Sequence, residues 1–117
     1  MKIYSSQEQL FRLIPQRAPI MMISGVEVDE DGKIHTSLSI TDDNWFVKEH
    51  LLMEAGLIEH AAQSAAAVIG LQNLKSSDNP HIGYIGEVSD SKIVELPKVG
   101  TAIRSDISVL AQIEEIT

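Results

Sequence analysis

Cysteine is absent from this 117-residue chain, and aromatic residues make up only 4% of it. Without thiols there is neither a disulfide framework nor a zinc–thiolate site, which points to a reducing compartment. Basic residues are also scarce, 9 Lys and Arg against 17 Asp and Glu, for a net charge of −8. They are scattered singly from Lys2 to Arg104, so no basic stripe exists for DNA or RNA and no nucleic-acid partner is expected. Long apolar runs are missing too. The longest, Ala65-Ala66-Ala67-Val68-Ile69, has five residues, against the ~20 that a membrane span needs. The start, Met1 to Glu8, lacks the apolar core of a signal peptide. His35 and His81 have no acidic or histidine neighbour at ligand spacing, so no metal site is expected. The expectation is a soluble cytoplasmic protein without a membrane partner. Its length suits one hydrophobic core and so a single domain over residues 1–117.

What is present follows a clear order. Ser5-x-x-Glu8 reads as a capping box before a short amphipathic helix with Leu10, Phe11, Leu13 and Ile14, which must stop before Pro15. Pro15 and Pro19 bracket an extended connector. Residues 20–28 are apolar and β-branched, broken by Ser24-Gly25. Asp29-Glu30-Asp31-Gly32 is a hairpin turn, because Asp-Gly tolerates positive φ. The return strand, residues 33–40, places Ile34, Thr36, Leu38 and Ile40 on one face. The longest helix runs from about 54 to 74, with high helix propensity and almost no bulk at its centre. Alanines at 61, 62, 65 and 66 form a smooth stripe that invites close approach. Residues 82–96 are apolar and β-rich with Gly83 and Gly86 as bulges. Pro97-Lys98-Val99-Gly100 is a turn, and residues 101–116 form another strand. Strands segregated around one central helix imply an α+β fold with an antiparallel sheet wrapped around that helix, the hot-dog shape.

Several runs resemble the FabZ-type 3-hydroxyacyl-ACP dehydratases. Leu13-Ile14-Pro15-Gln16-Arg17-Ala18-Pro19-Ile20 is similar to the family's Leu-Pro-His-Arg-x-Pro opening, and Ile58-Glu59-His60-Ala61-Ala62-Gln63 to its apolar-Glu-Ala-x-Ala-Gln helix motif. Tyr84-Ile85-Gly86 followed by Pro97-x-x-Gly100 resembles its later Tyr, Gly and Pro-x-x-Gly pattern. Glu54-Ala55-Gly56-Leu57-Ile58-Glu59 and Gly83-Tyr84-Ile85-Gly86 look closer to the small dehydratases of aryl-polyene and flexirubin-type pigment pathways. The resemblance implies a hot-dog fold and a two-fold dimer with sites at the subunit interface. It also implies elimination of water from a (3R)-hydroxyacyl thioester on acyl carrier protein or CoA, with no cofactor.

In the family a loop histidine works with an acid on the partner's helix. Glu59 matches the acid. His50 precedes it by nine residues, where the family has fourteen, so the loop is shortened and lacks the Gly-His-Phe-Pro run. The sequence also stops at Thr117, where the family continues into one more strand, so either the sheet is one strand short or the sequence is truncated.

Dehydration needs a base for the C2 proton, a positive dipole for the enolate-like oxygen and an acid for the leaving hydroxyl. His50 and Glu59 are the catalytic candidates. Gly56, at the start of the helix, is the oxyanion candidate. Gln63, one turn after Glu59 on the same face, would orient the carboxylate or satisfy a polar spot at an interface. His60 lies ~100° round the helix from Glu59 and is not expected to share its surface. Met21, Met22 and Met53 suit either an acyl tunnel or the core, and Trp45-Phe46 an anchor of loop to helix. An acidic carrier would dock on a local basic patch drawn from Arg17, Lys48, Lys92, Lys98 and Arg104. Two other readings stand beside the dehydratase. One is a non-catalytic hot-dog subunit that binds acyl thioesters or supports a catalytic partner, in a heterodimer rather than a homodimer. The other is a hot-dog acyl thioesterase, in which the helix carboxylate activates water.

Overall fold

The computed structural model describes residues 1–75 and 95–108. The elements follow as β1 (Lys2–Tyr4), α1 (Gln7–Phe11), β2 (Gly25–Val28), β3 (Ile34–Ser39), β4 (Val47–Lys48), β5 (Leu51–Leu52), α2 (Glu54–Lys75) and β6 (Ala102–Ile107). Four strands form one antiparallel sheet in the order β1-β2-β3-β6. The structure is therefore α+β with one long helix, consistent with a hot-dog fold. The strand expected at 82–96, its Gly83 and Gly86, and Tyr84, Lys92 and His81 lie mainly or wholly outside the described residues. So do residues 109–117, the later part of the strand expected at 101–116.

The N-terminal helix is capped one residue later than the Ser5 spacing suggests. Ser6 Oγ accepts from the Gln9 N–H, and Gln9 Oε1 accepts from the Ser6 N–H. Gln9 serves because its amide reaches back over one turn, whereas Glu8 instead meets Arg12 across the exposed face. The stretch after Pro15 is a turn, not an extended connector. Ile20 and Met21 both donate their N–H to the Arg17 carbonyl. The Arg17 guanidinium donates to the Phe11, Ile14 and Gln16 carbonyls and stacks on the Phe11 ring at 3.8 Å. That arginine closes the end of α1, where carbonyls lack partners.

The Asp29–Gly32 hairpin forms as the sequence predicts. Asp29 Oδ1 accepts from the Asp31 and Lys33 N–H groups, and Gly32 takes φ 82°. On β3, Thr36 and Leu38 face inward, as does Ile40 just beyond it. The Pro97–Gly100 turn also forms, with Gly100 at φ 90°.

The helix turns a different stripe to the sheet than the alanine pattern suggests. Ala61 is exposed and Ala62 and Ala65 are only partly covered, while Gly56, His60, Gln63, Ser64, Ala67, Gly70 and Leu71 are buried. Polar side chains win the inner face because each finds a hydrogen-bond partner there. Two apolar clusters result. Leu10, Leu13, Ile14, Ile23, Val26, Ala67 and Leu71 form one, and Met22, Leu38, Ile40 and Leu52 the other. Between them along α2 and β3 lie Thr36, His60, Gln63 and Ser64, all buried. Thr36 and Ser64 share a hydrogen bond of 2.7 Å across the helix–sheet gap.

Candidate active site

Glu59 and Gln63 come together one turn apart on α2, as i, i+4 spacing dictates. Glu59 is half-buried and Gln63 fully buried. Gln63 Nε2 donates to Glu59 Oε1 and to the Ile20 carbonyl, both at 2.8 Å, while its Oε1 accepts the Met22 N–H at 2.6 Å. One side chain thus orients the carboxylate and ties α2 to residues 20–22. This also explains why the apolar run 20–28 is a strand only from Gly25. The Ile20 carbonyl and both Met22 backbone groups are spent on helix side chains, and the Ile20 and Met21 N–H groups on the Arg17 carbonyl, so none of these can join a ladder.

His60 points the other way, into the helix–sheet gap, and is only 2% exposed. Its Nδ1 lies 2.7 Å from the Met22 carbonyl and its Nε2 2.8 Å from Ser105 Oγ on β6. A carbonyl only accepts, so Nδ1 carries the proton and Ser105 donates to Nε2 of the neutral ring. Burial lowers its pKa below the ordinary histidine range, which keeps it neutral. It does not share a surface with Glu59, as its helical position requires.

His50 lies at the tip of the β4–β5 hairpin. The two-residue loop Glu49-His50 puts both residues at positive φ, 54° and 64°. Its side chain is 82% exposed, with Nδ1 2.9 Å from Asp42 Oδ1. Gly56 is buried in the first turn of α2, and its N–H donates to the Met53 carbonyl at 2.9 Å. A β-carbon there would lie 2.6 Å from Phe46 Cβ and 2.7 Å from Leu52 Cδ1. Close packing against those two residues accounts for the glycine, and its own N–H is engaged by the Met53 carbonyl. Phe46 anchors the loop, whereas Trp45 is 68% exposed and does not. Met22 is core.

Among the basic residues, Arg17 is taken by carbonyls and Arg104 by Glu27 and Asp106. Lys48 and Lys98 are both exposed, and each pairs with Leu51 from opposite sides. Directly opposed residues share a sheet face, so Lys48, Leu51 and Lys98 lie in one row across the strands. Among the described residues no group of three or more His, Asp and Glu side chains could hold a metal, and no helix is long and apolar enough to cross a membrane.

The sequence reading missed the Met22 backbone as the shared anchor of His60 and Gln63. Its signal was there: two large polar residues three apart in the small-residue centre of the helix, residues 60–67. No curated protein matches the sequence. The family model of the ApeP-like group, described as ApeP dehydratase, matches residues 8–89, a stretch holding His50, Gly56, Glu59, His60 and Gln63 and more than two thirds of the sequence; the chain belongs to the ApeP-like dehydratase family.

Proposed function

We propose that this dehydratase removes water from a 3-hydroxyacyl thioester carried on acyl carrier protein during polyene or fatty-acyl chain assembly, with Glu59 as a catalytic residue. The observation that carries the reading is the fixed carboxyl group of Glu59. Gln63 donates to Oε1, which leaves Oε2 for a substrate, and a half-buried carboxyl on a rigid helix is a positioned acid. In its protonated form it gives that proton to the C3 hydroxyl as the C3–O bond breaks. The base takes the C2 proton, and the C–H electron pair becomes the C2–C3 double bond. Water leaves, and base and acid return to their starting states by exchange with solvent.

His50 is the proposed base. Its place on an exposed hairpin tip suits a site completed between two copies, with His50 of one serving Glu59 of the other, and this reading makes the protein a homodimer. The oxyanion role of Gly56 requires its N–H to leave the Met53 carbonyl when substrate enters. The carrier, an acidic partner, docks on the Lys48–Leu51–Lys98 row.

Intact mass spectrometry of a short 3-hydroxyacyl carrier protein tests this, with wild type, Glu59→Gln and His50→Ala run in parallel. The expected result is loss of one water in wild type and none in either variant. Turnover surviving in His50→Ala would remove His50 and leave Glu59 with another base. Release of free acid would identify a thioesterase. An unchanged carrier at every chain length would favour the non-catalytic subunit, with its partner still to be found.

A further inference from the structure

A buried histidine makes an expensive filler. Its position on α2, facing β6 between two apolar clusters, is one that leucine would occupy without any polar group to satisfy. What His60 holds is a single residue of the chain's irregular segment. It grips the Met22 carbonyl, Gln63 grips the Met22 N–H, and Asn44 Nδ2 lies 3.2 Å from the Met22 Sδ.

From this geometry we infer that His60 is a positioning residue for Glu59, acting through Met22 and Gln63. This rests on Glu59 being the catalytic carboxyl. A primary amide such as Gln63 fits its pocket in two ways that differ by a flip. The Met22 N–H selects one of them, because it needs an acceptor and so draws Oε1. The Nε2 end is then turned to Glu59 and Ile20. The flipped amide would set its oxygen against the Glu59 carboxylate and an N–H against the Met22 N–H. His60 fixes where that N–H points by holding the carbonyl of the same residue, and Ser105 fixes the ring. The chain Ser105–His60–Met22–Gln63–Glu59 thus runs from β6 to the carboxyl without a missing link. It crosses the helix by way of the segment packed against it.

Two variants separate positioning from space-filling. In asparagine the amide nitrogen can occupy the place of Nδ1, so His60→Asn keeps the donor to the Met22 carbonyl and gives up Ser105. In glutamine the amide reaches the place of Nε2, so His60→Gln keeps the volume and the Ser105 contact but loses Met22. With 3-hydroxyacyl carrier protein as substrate, His60→Gln should lower kcat by about tenfold or more with KM nearly unchanged, the cost of a carboxyl displaced by a fraction of an ångström. His60→Asn should stay within about threefold of wild type. The Gln63 side-chain amide signals, identified in NMR spectra by their loss in Gln63→Leu, supply a readout independent of turnover. They should hold their wild-type positions in His60→Asn and move in His60→Gln. The opposite order, with glutamine rescuing and asparagine failing, would overturn the inference, as would wild-type kcat and unmoved signals in both. If wild type itself removes no water, the proposed function falls. The amide signals then still decide whether His60 sets the Gln63–Glu59 pair.

Discussion

His35 and His60 sit on opposite faces of the β3–β6 region and titrate in opposite senses. His35 has Nε2 2.9 Å from Asp29 and Nδ1 2.5 Å from Asp106, so hydrogen bonds to Asp29 first and Asp106 second raise its pKa. A raised histidine stabilises fully below its unfolded value of about 6.5 and loses that contribution as pH climbs through the folded value. Its partner Asp29 is lowered, chiefly by His35. The Asp29 contribution is present above about 3.8 and disappears as pH falls through the folded value. His60 is lowered by burial. Below about 6.5 the unfolded chain binds a proton that folded His60 refuses, so stability declines from there toward acid. The stability–pH curve should crest between about pH 6 and 7. His35→Gln should flatten its alkaline limb and His60→Asn its acid limb, as read from urea midpoints across about pH 4.5 to 8.5, a range set by about two pH units either side of histidine's ordinary value. At this scale the sequence told most about Glu59 and Gln63, whose spacing alone put them side by side. It told least about His60, because the partner of a buried imidazole is decided by which backbone groups the tertiary fold leaves unpaired.

Helix α2 depends on two glycines that propensity alone would replace by alanine. A β-carbon at Gly70 would lie 2.0 Å from the Leu13 carbonyl oxygen, which is backbone and cannot swing aside. Gly70→Ala should therefore destabilise by about 2 kcal/mol despite the roughly 1 kcal/mol that alanine gains in a helix. Chemical denaturation would measure it. The β4–β5 hairpin predicts the reverse. Glu49 and His50 both hold the left-handed conformation, which suits the right-handed twist of a two-residue hairpin but strains a residue with a side chain. His50→Gly should be neutral or raise the melting temperature, while removing the proposed base. Such a variant separates folding from chemistry more cleanly than alanine does. The hairpin was illegible in the sequence because Glu-His carries none of the usual turn chemistry. Residues 29–32 were legible for the opposite reason. The alanine stripe misled because small size marks where a helix can be approached, but satisfied polar groups decide which side is approached by the sheet.

Across the whole molecule the net charge of −8 would oppose the acidic carrier proposed above at long range, so the proposed docking row Lys48–Leu51–Lys98 would have to work locally. Lys48→Glu with Lys98→Glu should raise KM for the carrier-bound substrate by about tenfold or more, the scale of two close charge pairs lost, with kcat unchanged. A small thioester lacking the carrier should show no such change. Rising salt should weaken wild type toward the variant.

The contact between Leu13 and Gly70 also has a cost in time. As the chain leaves the ribosome, Leu10, Leu13 and Ile14 emerge first, yet their partners Ala67 and Leu71 follow more than fifty residues later. At usual synthesis rates of about 5 to 20 residues per second, that apolar segment waits roughly 3 to 12 s for the helix, with only Ile23 and Val26 of the buried cluster made in the meantime. During that interval the apolar side chains of this segment lack the helix that covers them. Slowing translation between codons 20 and 70 should lengthen its exposure and lower the soluble yield.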